Sequence, residues 1–265
     1  MESSRYISVV SCHAEGEAGD VIVGGVRDVP AKTMKEKFLY FRKHREDLRL
    51  VLLNEPRGRP EMSVVLILPP GDWSPMSGSN AICTATVMLE TEPWTEVLFD
   101  TAAGLVKVIA RCEQGECKSV SLQNIPAFVY GLDLPIDVPG IASNLGLQVS
   151  NECGTQLMEL GKRVKAAVLE KHNPIHPESP EFCGIDNIAI TEPLQDLNRE
   201  KTAKQAMTGA HVGQAALLGW LFFMLRDYSI RERQYNSRIR ELTKVGDKDT
   251  VLPTIERRGW ITSYK

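Results

Sequence analysis

The sequence predicts an α+β fold, with strands dominating the first half of the chain and helices prominent in the second half. Short β-branched and apolar runs in the first half flank one strongly apolar segment of helical length. The second half opens on an amphipathic segment whose apolar residues recur at helical spacing. A chain of 265 residues, 43% hydrophobic and 25% charged, is long enough to bury a core and fits one or two domains.

The first predicted strands form a hairpin. Residues 6–10 and 20–26 are β-branched runs on either side of a turn at Glu15-Gly16-Glu17. Residues 62–68 predict a further strand. Three more strands are predicted, of which the last two are joined by a turn at Glu113-Gln114-Gly115: residues 96–101, 105–112 and 118–124.

Four segments are predicted as helices. Residues 31–48 carry apolar side chains at helical spacing, and residues 80–90 are apolar on nearly every face, which indicates a buried helix. Residues 151–170 form the amphipathic pattern, with Asn151 as the expected N-cap. The apolar run within residues 206–225 is too short to span a bilayer, so a buried core helix is expected there. The remaining segments predict strands: residues 185–190 and 251–262.

Charge and cysteine content exclude several classes of protein. The sequence has 34 acidic and 31 basic residues, which gives a net charge of −3. This near-neutral balance gives no reason to expect nucleic acid or an anionic membrane as partner. Residues 1–10 lack the features of a signal peptide, and we expect a cytoplasmic protein. The cysteines form no Cys-x-x-Cys pair, which argues against a zinc ribbon or disulfide framework and predicts mostly buried thiols: Cys12, Cys83, Cys112, Cys117, Cys153 and Cys183.

The stretch from Trp73 to Ile82 is the most informative for chemistry. A loop rich in Pro and Gly runs directly into the predicted buried helix. The first amides of a helix lack intrahelical acceptors and lie at its positive end, so they are suited to bind a carboxylate or phosphate. The hydroxyl of Ser77 would point into such a site. The alternative is a capped helix start without ligand, in which Ser79 caps the helix and Ser77 is a turn residue.

Two further polar clusters invite a functional interpretation. His13-Ala14-Glu15-Gly16-Glu17 combines two acids with a histidine, but no further histidine is placed to complete a metal site, so a polar turn is favoured. Asn54-Glu55-Pro56-Arg57-Gly58 is also interpreted as a structural turn.

Taken in order along the chain, these motifs resemble the proline racemase superfamily, which includes proline racemase, hydroxyproline 2-epimerase and trans-3-hydroxy-L-proline dehydratase. The resemblance is dense over residues 6–139, patchy over 144–190, and returns at 243–262. The matching segments are C-H-A-E-G-E, V-G-G-V, A-K-T-M-K-E-K, N-E-P-R-G, P-M-S-G-S-N-A-I-C-T-A-T-V-M-L-E-T, A-A-G-L-V-K-V, V-S-L-Q-N-I-P-A-F and V-L-P-T-I-E-R-R-G-W-I-T.

The resemblance implies a two-lobed fold like that of diaminopimelate epimerase, with strands wrapped around a central helix in each lobe. Residues 1–140 would form the first lobe, to which the strands of 245–265 return. Residues 141–244 would form a truncated second lobe. Two strands of the family have no counterpart in the sequence, one expected between Pro70 and Gly71 and one between Gly140 and Ala142. The second lobe is expected to be incomplete.

The resemblance also implies a reaction without cofactor or metal. Two acid/base residues flank the Cα of a pyrrolidine-2-carboxylate: one removes the Cα proton and the other returns a proton to the opposite face. Loss of a 3-hydroxyl group instead gives dehydration. A thiol with a pKa of about 8.5 suits the base better than a serine hydroxyl does.

Ser77 falls where many members of the family have the first catalytic cysteine. Gly78, Ser79 and Asn80 match the loop whose amides hold the substrate carboxylate. The second motif of the family, an Asp-Arg-Ser-Pro segment before a second helix, has no counterpart beyond the faint Thr208-Gly209-Ala210. The aspartate that would bind the substrate nitrogen is missing with that motif.

The leading hypothesis is therefore a cofactor-independent racemase or epimerase of proline or hydroxyproline. The alternatives are a trans-3-hydroxy-L-proline dehydratase and an inactive homologue that lacks the second half-site. Cys183 is a conceivable substitute base, but a buried structural role is favoured for it. The expected partner is a small-molecule substrate, with neither nucleic acid nor membrane, and a homodimer is the expected form of any assembly.

Overall fold

The computed structural model describes residues 6–58, 63–64, 73–91, 94–114, 116–131, 134–138, 154–184, 191–193, 205–207 and 236–265. The backbone divides into two compact units. Unit 1 comprises Met1–Ile125, Tyr235–Ser237 and Thr254–Lys265, and unit 2 comprises Pro126–Gln234 and Arg238–Pro253. The predicted α+β class is confirmed, and the predicted domain boundaries stay a prediction.

The described part of the chain contains helices and strands in the following order: β1 Ser8–Ala14, β2 Glu17–Gly24, α1 Met34–His44, α2 Glu46–Leu53, β3 Ser63–Val64, α3 Gly78–Thr91, β4 Glu96–Thr101, β5 Gly104–Glu113, β6 Glu116–Gln123, β7 Ala127–Phe128, α4 Gly154–Lys171, β8 Thr191–Pro193, β9 Gln205–Met207, β10 Asn236–Val245, β11 Lys248–Arg257 and β12 Gly259–Tyr264.

Helix α3 is the centre of unit 1, as its apolar sequence predicts. Ile82, Cys83 and Ala85 are fully buried, and the helix packs against β1, β2, β6 and β12. Complete burial of a side chain the size of Ile82 contributes about 1.5–3 kcal/mol to the free energy of unfolding. This core therefore holds the start of α3 in a fixed place.

One sheet of unit 1 has the order β12-β1-β2-β3. The predicted hairpin is present: β1 and β2 pair antiparallel, and Glu15 and Gly16 both have positive φ (50° and 90°) in the turn between them. Strand β12 from the C-terminus pairs antiparallel with β1, whereas β3 pairs parallel with β2. The sequence-distant β3 and β12 thus flank the hairpin against which α3 packs.

The second sheet of unit 1 places β6 between β5 and the C-terminal residues of β11. Strands β4, β5 and β6 form a meander, with the predicted hairpin turn between β5 and β6. Val106, Val108, Val120 and Leu122 alternate with more exposed neighbours and are fully buried in the core that contains α3. This alternation is that of strands with one buried face.

The described part of unit 2 contains α4 and several short strand pairings. Strand β7 pairs with β11 at Phe128 and Thr250, and β10 lies next to β11. Strands β8 and β9 form a separate antiparallel pair. Ala206 and Met207, which were expected to begin a helix, instead lie in β9, because pairing with β8 overrides their helical propensity.

Two other expectations are corrected. The helix predicted over residues 31–48 is two helices, α1 and α2, which meet at Arg45 (φ −128°, ψ 35°). The prediction of mostly buried cysteines fails in the described residues, because Cys112 and Cys183 are exposed and Cys117 is half-buried. Several predicted features lie outside the described residues: Asn151, Thr208-Gly209-Ala210, residues 185–190, residues 208–225 and the two positions of missing strands.

Candidate active site

Ser77 is the N-cap of α3. Its carbonyl accepts a hydrogen bond from the Ala81 amide (2.9 Å), and its Oγ accepts one from the Asn80 amide (3.4 Å). A serine in this position satisfies one of the first amides of a helix, which lack intrahelical acceptors. The alternative cap at Ser79 is wrong, since Ser79 lies inside the first turn and is only 1% exposed.

An aromatic cluster anchors the loop that leads to Ser77. The indole of Trp73 packs edge-on against Phe38 (ring centroids 6.5 Å apart) and lies 6.4 Å from the Phe41 ring. Its Nε1 donates a hydrogen bond of 3.2 Å to Oε2 of Glu46. The neighbouring Arg49, together with this indole, holds the pKa of Glu46 below its ordinary value. Helices α1 and α2 therefore position the loop before α3.

Asn80 ties the start of α3 to the first sheet. Its side chain is 95% buried, and Nδ2 donates to the Val64 carbonyl of β3 at 3.3 Å. A Cβ atom at Gly19 of β2 would lie only 2.5 Å from Oδ1 of Asn80. Glycine at this position lets α3 approach β2 closely, a requirement that the sequence alone does not reveal.

A cavity of about 390 Å³ opens beside this helix start, within unit 1. Of the four predicted site residues, Ser77 and Asn80 line the cavity, whereas Gly78 and Ser79 are buried without lining it. The wall is mostly apolar and comes from the start of α1, the loop before α3, one face of α3, and β4: Met34, Ser74, Pro75, Met76, Ser77, Asn80, Ala81, Thr84, Met88, Val97, Leu98, Phe99, Asp100, Thr101 and Ala102.

Asp100, an exposed residue near the end of β4, also lines this cavity. This residue is not predicted from the sequence, because it lies 23 positions after Ser77 and in no motif that points to chemistry. The available signal was its place at the end of a predicted strand, next to a turn. Ser77 and Asp100 are thus two polar groups around a pocket of small-ligand size.

The buried thiols of α3 and β1 do not belong to this cavity. Cys83 lies on the face of α3 that meets Gly19, and its thiol interacts with Cys12. This interaction, together with burial, raises the pKa of Cys83 well above its ordinary value. The interaction with Cys83 lowers the pKa of Cys12, against the opposing effect of burial. Both side chains are at least 98% buried, so they act as core residues.

The other two polar clusters have structural roles, as expected. The His13 ring stacks on Trp260 (centroids 5.0 Å apart), and its Nδ1 accepts a hydrogen bond from the Gly16 amide at 3.1 Å. Glu15 accepts from the Arg258 amide. The segment from Asn54 to Gly58 closes a turn through a 2.8 Å backbone hydrogen bond. Among the described residues, no group of three or more His, Cys, Asp or Glu side chains could hold a metal ion.

Cys183 does not fit its expected buried role. It is exposed in unit 2 and bridges to Ile175 through the backbone. Within the described parts of the chain, no helix is long and apolar enough to cross a membrane.

Comparisons with known proteins place this chain in a family. The sequence matches the family described as proline racemase over residues 9–143. A hydroxyproline epimerase from Agrobacterium vitis, solved with bound trans-4-hydroxy-L-proline, is similar with 26% identity and a TM-score of 0.78, over 100% of this chain and 93% of that one. A probable proline racemase from Agrobacterium radiobacter, with bound carbonate, has 27% identity and a TM-score of 0.78 over 98% and 92% of the two chains. The matched region covers about half of this chain and includes Ser77 and the cavity, and the chain belongs to the proline racemase family.

Proposed function

We propose that this protein acts on proline or a hydroxyproline by proton transfer at Cα, without a cofactor. The observation that carries the proposal is the position of Ser77, at the N-terminus of the central helix and on the wall of a 390 Å³ cavity. Membership of the proline racemase family and the likeness to a structure holding trans-4-hydroxy-L-proline support the same substrate class.

The substrate carboxylate would bind at the start of α3, on the wall formed by Ser77 and Asn80; Gly78 and Ser79, which match the carboxylate loop of the family, do not line the cavity. The positive end of the helix dipole stabilises a carboxylate there, and it also stabilises negative charge that develops on the carboxylate oxygens as the Cα proton leaves. The mostly apolar wall of the cavity would strengthen this stabilisation by lowering the local dielectric constant.

Ser77 would serve as the acid/base group on one face of Cα. Its Oγ accepts a hydrogen bond from the Asn80 amide, which favours negative charge on that oxygen. The hydroxyl would donate its own proton towards the substrate. Asp100, on the same cavity wall, would pair with the secondary ammonium of the substrate and so replace the aspartate that the sequence lacks.

Dehydration is the second candidate function. The Asp-Arg-Ser-Pro motif, which would carry the opposite-face acid/base group, is absent from the sequence. Epimerisation needs that second group, whereas removal of the Cα proton followed by loss of a 3-hydroxyl group does not. Trans-3-hydroxy-L-proline is therefore the substrate on which a single acid/base group suffices. An inactive homologue that binds the amino acid is the third candidate.

Solvent exchange in D2O separates these functions. The purified protein is incubated with L-proline, trans-4-hydroxy-L-proline and trans-3-hydroxy-L-proline, and the Cα proton signal is followed by NMR. Exchange with inversion indicates an epimerase, and a cyclic imine formed from the 3-hydroxy substrate indicates a dehydratase. Binding without exchange at stoichiometric enzyme indicates the inactive homologue and overturns the proposal.

Two serine variants test the assignment of the base. Ser77→Ala is expected to slow exchange by about 100-fold, the lower end of the usual contribution of a general acid/base. Ser74→Ala is the matched control, since Ser74 lines the same cavity but donates its hydroxyl to the Met76 carbonyl. Equal losses in both variants would contradict the role of Ser77. Asp100→Asn is expected to raise KM more than it lowers kcat.

A further inference from the structure

Two cysteines face each other at the end of the β5–β6 hairpin in unit 1, away from the proposed active site. Cys112 and Cys117 are direct partners in the antiparallel register. Cys112 is exposed and Cys117 is half-buried. Neither residue has a part in the proposed function, so the chemistry of this pair is independent of it.

The register of the hairpin suits a disulfide. Directly opposed residues of an antiparallel pair have Cα atoms about 4.5–5.5 Å apart, inside the range of about 4.4–6.8 Å that a disulfide requires. The two thiols already interact with each other. The register shifts between Arg111 and Cys112, so the pair lies beside an irregularity of the ladder, and oxidation requires the two side chains to rotate towards each other.

The two thiols differ in reactivity. Burial, together with the interaction with Cys112, raises the pKa of Cys117 to about 11, so Cys117 is almost wholly protonated at neutral pH. Cys112 is the solvent-exposed partner and hence the one that a reagent meets first. Once Cys112 is bound in a mixed disulfide, its contribution to the raised pKa of Cys117 is lost. Cys117 is then better able to attack.

A second cavity, of about 590 Å³, gives the reaction space. Cys112 and Cys117 both line it, together with Trp94, Arg258 and Trp260. The volume is sufficient for a small thiol compound bound to Cys112, and for its departure when Cys117 attacks.

We propose that Cys112 and Cys117 form a reversible disulfide by exchange with a low-molecular-weight disulfide such as glutathione disulfide. The Cys112 thiolate attacks one sulfur of glutathione disulfide, which forms a mixed disulfide and releases one glutathione thiolate. The Cys117 thiolate then attacks the Cys112 sulfur and releases the second glutathione. Two thiol protons go to the two released glutathiones, and two electrons pass from the protein to the reagent. Reversible disulfides of this kind in a reducing compartment are characteristic of redox-sensing sites.

The chain provides its own controls. Cys12 and Cys83 also interact, but their burial keeps reagents from them. Cys183 is exposed, and its backbone bridge to Ile175 brings no second thiol next to it among the described residues. Because no resolving thiol lies next to Cys183 among the described residues, its reaction with glutathione disulfide should stop at the mixed disulfide.

The experiment equilibrates the full-length protein with buffers of varied glutathione disulfide to glutathione ratio. Remaining thiols are blocked with iodoacetamide after acid quenching, and tryptic peptides are weighed by mass spectrometry. Cleavage after Arg111 and Lys118 leaves both cysteines in one short peptide. The expected product is this peptide without alkyl groups and two hydrogen atoms lighter than its dithiol form. It should appear at a ratio of glutathione disulfide to glutathione about tenfold lower than the ratio that glutathionylates Cys183.

The variant Cys117→Ser identifies the resolving thiol. In this variant Cys112 is expected to retain glutathione, and reduction of the wild-type protein with excess glutathione should restore both thiols. The proposal is overturned if wild-type Cys112 keeps glutathione to the same extent as it does in the variant. It is also overturned if Cys112 and Cys117 are both still free to be alkylated under conditions that glutathionylate Cys183.

Discussion

Two cavities lie against the same helix, and only the first of them reaches its N-terminal end. The first takes Ser77 and Asn80 from the start of α3, runs along one face of the helix as far as Met88, and contains no thiol among its lining residues. The second takes Thr86, Leu89 and Glu90 from the C-terminal end and contains two thiols. The proposed reaction needs an acid/base group at a positive helix end. This chain has the positive end without the thiol and a thiol pair at the negative end.

The helix dipole explains why the two ends are not interchangeable. A helix favours anions at its N-terminus and cations at its C-terminus by about 0.3–1 kcal/mol each. The second cavity accordingly contains Arg258, which pairs with Glu116 at 2.8 Å and lies 5.2 Å from the centre of the Trp260 ring. The helix dipole therefore favours a carboxylate at the first cavity over the second.

The largest expected effect comes from putting a thiol at the N-terminal end. Ser77→Cys should speed Cα exchange by about 100-fold, because a thiol with a pKa of about 8.5 is a far better base near neutrality than a hydroxyl. The positive helix end would lower the pKa of this thiol further. Deuterium exchange of L-proline measures the effect, and iodoacetamide labelling compares the new thiol with Cys117.

An unchanged exchange rate in Ser77→Cys, with a folded protein and rapid alkylation at position 77, would mean that the group at position 77 does not remove the Cα proton. The two helix ends would then still differ in thiol reactivity, but the proposed removal of the Cα proton at position 77 would be contradicted.

The next effect concerns the contact that holds the N-terminal end in place. Gly19→Ala should lower the free energy of unfolding by about 1–3 kcal/mol, because its Cβ would lie 2.5 Å from Oδ1 of Asn80. Urea denaturation measures this loss. The double variant with Asn80→Ala should lose less than the sum of the two single losses, since the clash disappears with the side chain.

Gly161→Ala is the matched control for that substitution. Gly161 lies in α4 of unit 2, and nothing lies within 4 Å of its added Cβ. Alanine there should stabilise the protein by about 0.5–1 kcal/mol through helix propensity. A similar loss from both substitutions would contradict the close approach of β2 and α3.

Much of unit 1 is predictable from sequence because its signals are local. The apolar run that forms α3 and the alternation that forms β5 and β6 need no knowledge of their neighbours. Where contacts between distant segments determine the structure, these local patterns do not predict it. Ala206 and Met207 are placed in a strand by β8, and the helical pattern of residues 31–48 does not reveal the break at Arg45.

The candidate site is only half predictable. A helix-start motif, which is a local signal, identifies Ser77, and resemblance gives its role. Asp100, Gly19 and Val64 reach the site from separate strands, so their relevance depends on packing that no local pattern encodes. The sequence offers Ser79 as the cap of a helix start without ligand, and only the hydrogen-bond geometry places the cap at Ser77.

A smaller effect distinguishes the role of Ser77 as N-cap from its proposed role as the acid/base group. Ser77→Ala should cost about 1 kcal/mol of stability, whereas Ser77→Gly should cost only a few tenths, because glycine is a tolerated N-cap. Both variants lose the hydroxyl and should lose exchange activity equally. If exchange in Ser77→Gly stayed near the wild-type rate, the hydroxyl would be a cap and nothing more. Thermal denaturation beside the NMR assay gives both quantities.

The smallest effect lies at the C-terminal end of α3 and appears only in alkaline solution. Folded Cys117 keeps its proton up to a pKa of about 11, whereas the unfolded thiol releases it near 9.0. Between these values the folded state binds more protons than the unfolded state, so the free energy of unfolding falls as pH rises. Cys117→Ser should make that fall less steep in urea titrations from about pH 8 to 11, by a modest amount because Cys117 is partly exposed. Cys183→Ser is the control for the loss of a solvent-exposed thiol. If both variants gave the wild-type slope, burial of Cys117 would make no contribution to the pH dependence of the free energy of unfolding. The difference between the two ends of α3 would then be supported only by the N-terminal end.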